Sequence, residues 1–209
     1  MSITDLAMSM AFGVPFNAVL GLVRHLFEVS ERDEAKSLAR LRNMQREGFP
    51  PGVNVGRGVK ISYGIEQITA VLFYHMMIDA GFPPDFAIRL YGAYRGKILA
   101  VAVHDDSAVS PSGQWPGPGT KVVTVTGNIL SSRSDRQDAR PLPGEISSCQ
   151  LIELFAGLNQ LLGRPAGVHV LDMAGTLGRA LAHLEEQKFT TLDESLQAIR
   201  ELRKEVGAV

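Results

Sequence analysis

The feature that most constrains this fold is residues 30–63, where a charged helical pattern is cut off by glycine and proline. Gly48 is of a type that commonly ends helices, and Pro50-Pro51 directly after it cannot continue one. The pattern therefore predicts a helix from Glu31 to Glu47 that stops at this point. From Lys36 to Tyr63 the chain carries six cations and one acid, although its formal net charge is −1. Positive charge is thus concentrated locally.

The predicted helix has two faces when its residues are placed at about 100° intervals. The apolar face is expected to pack on a preceding helix, Phe16 to Phe27, and comprises Ala35, Leu38, Leu41 and Met44. The polar face is expected to be exposed, with Arg46 on its flank, and comprises Arg32, Lys36, Arg40, Asn43 and Glu47. Charge runs on helices are usually solvated surface, so this face by itself identifies no partner.

The segment after the helix, residues 50–63, predicts a basic hairpin. Its glycines permit positive φ at a turn, and apolar residues alternate with polar ones on both sides of Arg57-Gly58. A basic helix followed directly by a basic hairpin is what a winged helix-turn-helix presents to a DNA duplex. Asn and Arg can make paired hydrogen bonds to base edges, and Lys suits phosphate. The candidate DNA-binding residues are Arg32, Lys36, Arg40, Asn43, Arg46, Asn54, Arg57 and Lys60.

The order of elements over about residues 16–94 resembles the MerR-like winged helix-turn-helix DNA-binding domains. The similarity is carried by Glu28-Val29-Ser30-Glu31-Arg32 at the turn and by Arg42 to Phe49, where an acid, a glycine and an apolar residue end the helix. Gly58 to Tyr63 is similar to the family's wing, and Ile78-Asp79-Ala80-Gly81-Phe82 is similar to its Gly-Phe junction.

This resemblance implies a symmetric homodimer bound to inverted-repeat double-stranded DNA, with the second helix in the major groove. Carried over by residue, Arg32, Lys36, Arg40 and Asn43 would face the groove. Arg57 and Lys60 would face the phosphate backbone.

The rest of the chain predicts a mixture of helices and strands. Further helices are expected over 2–12, 65–80, 86–94, 147–162, 173–186 and 192–206, and strands over 97–104 and 121–130. The expected fold class is α+β and mostly helical. It comprises a winged helix-turn-helix domain (1–95) and a mixed strand/helix region for dimerisation or effector binding (96–209), with mobile loops at 105–120 and 131–145.

Catalytic and metal-binding patterns are missing from the sequence. The five histidines are scattered, and no nucleophile elbow or phosphate-binding loop is present. We therefore expect no enzyme activity, no cofactor and no metal. The single cysteine, Cys149, fits a reducing compartment. Gly13 and Pro15 interrupt the apolar N-terminal stretch, so no membrane span is expected and a cytoplasmic location is favoured.

The function that these patterns favour is sequence-specific DNA binding by a dimeric transcription regulator. Its C-terminal region would bind a protein or small-molecule effector. Two alternatives stay open. One is a phage- or plasmid-type DNA partition or packaging factor that uses the same domain. The other is a protein-interaction module whose basic face meets an acidic partner without binding DNA.

Overall fold

A computed structural model of the chain describes residues 12–53, 60–104, 121–127, 145–150 and 167–207. The elements in chain order are β1 (Val14–Pro15), α1 (Phe16–Leu26), a 3₁₀ turn (Glu31–Asp33), α2 (Glu34–Arg46), β2 (Ser62–Tyr63), α3 (Ile65–Asp79), α4 (Pro84–Ala102), β3 (Lys121–Gly127), β4 (Glu145–Gln150), β5 (Gly167–Leu171), α5 (Met173–Glu186) and α6 (Leu192–Gly207). The fold is α+β and mostly helical, as predicted. The predicted helix 2–12 and nearly all of the loops 105–120 and 131–145 lie outside the described residues.

The ends of α2 and α3 follow the glycine signals in the sequence. Gly48 has φ 75°, and the amides of Gly48 and Phe49 donate to the carbonyls of Gln45 and Met44, both at 3.0 Å. This pair of bonds satisfies carbonyls that the end of a helix leaves free. Gly81 (φ 89°) closes α3 in the same way. The predicted helix stops are therefore confirmed.

The predicted strand at 97–104 is wrong, because α4 continues from Pro84 to Ala102. The helix has a kink at Tyr94 (φ −122°, ψ 18°) and then buries Ile98, Leu99, Val101 and Ala102. These buried positions have the i, i+1, i+3, i+4 spacing of one helix face, which an alternating strand would not give. Burial against the rest of the core decides the outcome over the strand preference of Ile and Val.

The predicted strand at 121–130 is confirmed over β3, which is the central strand of a three-stranded antiparallel sheet ordered β4-β3-β5. The predicted helix at 147–162 is wrong at its start, because Glu145–Gln150 forms β4 and pairs with β3 from Lys121↔Gln150 to Thr126↔Glu145. Serine and cysteine are weak helix formers, and pairing with β3 satisfies the backbone instead. Residues 151–166 lie outside the described part.

One hydrophobic cluster takes in residues from both of the regions expected to be separate. Buried side chains of α1, α2, α3 and α4 join those of β3, β5, α5 and α6 in it. Helices α5 and α6 both pack against α3 and α4, and α5 also packs against α1. Arg203 on α6 donates to the carbonyl of Val103 at 2.6 Å, which satisfies the C-terminal end of α4. Residues on either side of position 95 thus share a core.

Two further helices begin and end where the sequence predicts. Asp172 caps α5 by accepting a hydrogen bond from the amide of Gly175 at 2.8 Å. Thr191 and Glu194 cap α6 reciprocally, each side chain bonding to the other residue's amide. Within the described ranges, none of the helices combines the length and the apolar character needed to cross a bilayer.

Candidate nucleic-acid interface

Helix α2 lies on α1 with its charged side outward. Leu41 and Met44 are fully or almost fully buried in the shared core. An ion pair between Arg24 Nη2 on α1 and Glu34 Oε2 on α2, at 3.3 Å, also joins the two helices. The turn between them needs a left-handed residue, and Glu28 takes that position with φ 47°. The sequence 16–47 therefore folds as two helices joined by a tight turn.

The buried face of α2 is rotated from the predicted one. Leu41 and Met44 are buried as expected, but Ala35 is exposed and Leu38 is only partly buried. Ser37 and Gln45 take their place in the interior. The prediction followed apolar residue types alone, whereas these two polar side chains also lie on the side that faces the protein.

This rotation changes which cations point furthest outward. At about 100° per residue, Asn43 and Arg46 lie near the middle of the exposed face, and Arg40 lies at its edge. The Arg40 guanidinium is near two core side chains of α3. Burial, and to a lesser extent the positive charge of Arg40, lower the pKa of His75 to about 3. Burial also raises the pKa of Tyr74, against the opposing charge of Arg40.

Most of the candidate DNA-binding side chains are exposed, on α2 and on the segments that flank it. The exposed candidates are Arg32, Lys36, Arg40, Asn43, Arg46 and Lys60. Asn54 and Arg57, at the predicted hairpin tip, lie outside the described residues. The predicted hairpin turn is therefore not described. Val53 and Ile61, on the two sides of the undescribed stretch, pack against the core.

Lys36 is engaged differently from the other cations. Its Nζ donates to Asp33 Oδ1 at 2.7 Å, and Ser30 Oγ donates to Asp33 Oδ2 at 2.8 Å. The hydrogen bond from Lys36, followed by that from Ser30, lowers the pKa of the Asp33 carboxyl. The Ser30 side chain makes no cap to the helix backbone and bonds to this carboxylate instead. Part of the Lys36 charge is therefore neutralised locally.

The remaining cations of this region are unpaired within the described part of the chain. No hydrogen bond or ion pair there engages Arg32, Arg40, Arg42, Arg46 or Lys60. Arg42 was left out of the predicted set, yet it is exposed beside the same face. The positive charge of Arg42 on this helix is the signal in the sequence. It was missed because the buried face of the helix was assigned wrongly.

A buried hydrogen bond joins α2 to the end of the following segment. Gln45 Nε2 donates to the hydroxyl of Tyr63 at 2.6 Å, and both side chains are buried. Burial raises the pKa of Tyr63 to about 12, so its hydroxyl stays protonated at neutral pH. Strand β2, which contains Tyr63, pairs with β1 in front of α1. The helix and the segment after it are thereby held in one fixed relation.

Gln67 on α3 holds the two ends of the 51–64 segment together. Its Nε2 donates to the carbonyl of Pro51 at 3.1 Å, and its Oε1 accepts from the amide of Gly64 at 3.0 Å. One side chain thus spans the base of the segment that carries Lys60. Local sequence patterns do not reveal these contacts of Gln45, Tyr63 and Gln67, because the partners are distant in the chain.

The chemistry of this surface suits a polyanion. Its exposed guanidinium groups can donate paired hydrogen bonds to phosphate or to guanine, and Asn43 can pair with adenine. The described residues contain no group of three or more His, Cys, Asp or Glu side chains that could hold a metal ion. Comparison with protein-family models, curated proteins and solved structures finds no match for this chain.

Proposed function

We propose that this protein binds double-stranded DNA through the exposed face of α2 and the segment 50–63, as a winged helix-turn-helix transcription regulator. The observation that supports this most strongly is a group of exposed cations without ion pairs on α2 and on the segments that flank it: Arg32, Arg40, Arg42, Arg46 and Lys60. Exposed cations that form no ion pair are available to phosphates. A helix held at one end by a tight turn is a suitable shape for the major groove.

Different side chains on this surface have different roles in the proposal. Asn43 and Arg46 lie near the middle of the outward face and read base edges. Arg40 at the edge, Arg42 beside the face and Lys60 on the following segment contact phosphates and fix the register. Gln45, Tyr63 and Gln67 are positioning residues, because they hold the helix and the segment together without being exposed to DNA themselves.

The dimer belongs to the same proposal and is supported by the resemblance of residues 16–94 to the MerR-like domains. Two copies related by a two-fold axis would bind two half-sites about one helical turn, or a multiple of it, apart. The half-site spacing in bound DNA therefore reports on the dimer directly.

The experiment that tests the proposal is selection of bound sequences from a pool of random duplexes. We expect enrichment of an inverted repeat by the unaltered chain and loss of enrichment for Arg46→Ala. Lys204→Ala, which removes an exposed cation from α6, should select the same sequence as the unaltered chain. Uniform binding without enrichment would favour a packaging or partition role. Absence of binding to any duplex at low salt would refute the proposal.

A further inference from the structure

A cavity of about 360 Å³ lies where the ends of α1 and α3 meet β5 and α5. Its apolar walls come from Leu26, Phe27, Met76, Ala80 and Leu171. Small-molecule sites are typically concave and mainly apolar, with a few polar groups and volumes of roughly 300–1,000 Å³. The cavity is therefore at the lower end of the size range that accommodates a small ligand.

Three polar side chains complete the lining, and two of them carry opposite charges. Arg179 Nη2 donates to Thr176 Oγ1 at 3.2 Å, and Thr176 is only 4% exposed, so the hydroxyl anchors the guanidinium to the wall. Asp79, the last residue of α3, also lines the cavity. Among the described residues Asp79 and Arg179 form no ion pair with each other. The lining thus carries a cation and an anion that do not pair with each other.

We propose that this cavity binds a small apolar zwitterion of the size and chemistry of an aromatic amino acid. The carboxylate of the ligand pairs with Arg179 and its ammonium group pairs with Asp79. The apolar side chain packs against Phe27, Met76 and Leu171. A ligand with only one of these charges leaves the opposite charge of the protein without a partner, and it binds more weakly for that reason.

The position of the cavity connects it to the turn before α2. Leu26 ends α1 and Phe27 follows it, directly before Glu28. Phe27 also contacts the ring of the buried His75, with 5.3 Å between ring centroids. A bound ligand therefore contacts the base of the turn. Binding to the cavity itself does not depend on the proposed DNA binding.

Isothermal titration calorimetry on the full chain, without DNA, tests the proposal with three probes. These are L-phenylalanine, phenylacetate, which lacks the ammonium group, and phenethylamine, which lacks the carboxylate. We expect saturable binding of L-phenylalanine, with each single-charge probe at least tenfold weaker. No saturable heat with L-phenylalanine at millimolar concentration, or tighter binding of either single-charge probe, would overturn it.

Two variants test which charge of the cavity pairs with which charge of the ligand. Arg179→Gln should weaken L-phenylalanine at least tenfold and leave phenethylamine unchanged, whereas Asp79→Asn should weaken L-phenylalanine and leave phenylacetate unchanged. Lys204→Ala on α6 is the control and should bind all three probes as the unaltered chain does. Both altered side chains are exposed, so the variants should keep the fold, which circular dichroism checks. Unchanged affinity for L-phenylalanine in Arg179→Gln would contradict the proposal.

Discussion

Helices α1, α2, α3 and α5 are each followed by a residue in the left-handed conformation, and the type of that residue differs from one end to another. Glycine fills the position at Gly48 and Gly81, with φ of 75° and 89°. Glu28 and Lys188 fill it with φ of 47° and 59°. A side chain in this region is strained, because Cβ approaches the following carbonyl. The two glycine ends carry the clearer signal in the sequence, because glycine adopts this conformation readily.

Gly48→Ala is expected to destabilise the protein by about 1 kcal/mol, since alanine must adopt the left-handed conformation. The matched control is Gly92→Ala inside α4, which should stabilise the protein by roughly 0.5–1 kcal/mol. A Cβ at either position meets no atom within 4 Å, so packing does not distinguish them. Urea unfolding measures both, and equal effects of the two changes would contradict the assigned backbone conformation.

Tyr63→Phe is expected to cost about 1–2 kcal/mol, because it leaves the buried Gln45 Nε2 without its acceptor. Tyr91→Phe provides the comparison. The Tyr91 hydroxyl is buried and has no hydrogen-bond partner among the described residues, so its removal should be neutral or stabilising. Chemical denaturation of the two variants decides the matter. A larger loss for Tyr91→Phe would show that the partners are assigned wrongly.

At the level of helices and strands, stop signals were readable from the sequence and burial was not. Gly48 and Gly81 marked helix ends correctly because the signal is local. Residues 97–104 and 147–150 were misassigned because neighbours distant in sequence decide their conformation. The buried face of α2 was misassigned for the same reason. Residue type suggested that Ala35 is buried, whereas Gln45 is buried instead and bonds to the distant Tyr63.

Loss of the α5 cap is the expected consequence of Asp172→Ala, with a cost of about 1 kcal/mol. The carboxylate accepts from the amide of Gly175, and alanine leaves that amide without a side-chain partner. Asp172→Asn retains an acceptor oxygen and should lose little. Thermal unfolding of the three chains provides the measurement. If Asn and Ala cost the same, the hydrogen bond contributes nothing and the capping assignment is wrong.

Across the whole molecule, one core connects the α2 region to the C-terminal helices, and a buried histidine lies within it. The side chain of His75 is 4% exposed and its Nε2 has no hydrogen-bond partner among the described residues. Burial lowers its pKa to about 3 from an ordinary 6.5. The folded state therefore holds this ring neutral, while the unfolded chain takes up a proton below pH 6.5.

The stability that this difference provides is fully present above pH 6.5 and is lost as the pH falls towards 3. Between pH 6.5 and 5 the unaltered chain should lose stability progressively, with a limiting slope of about 1.4 kcal/mol per pH unit from this group. His75→Leu should flatten the slope, and His104→Ala, at an exposed site, should not. Burial also lowers the pKa values of His169 and His183, so some slope remains. Denaturant titrations across this pH range would contradict the account if His75→Leu kept the full slope.

The salt dependence of duplex binding, measured by fluorescence anisotropy on the selected sequence, tests whether the exposed cations of α2 and Lys60 contact DNA. Each phosphate contact adds roughly 0.9 to the slope of log Kd against log salt concentration. Arg42→Ala combined with Lys60→Ala should therefore weaken binding and reduce the slope by roughly 2. Lys204→Ala should leave the slope unchanged. An unchanged slope in the double variant, or no binding by the unaltered chain at low salt, would contradict the assignment of this surface to DNA.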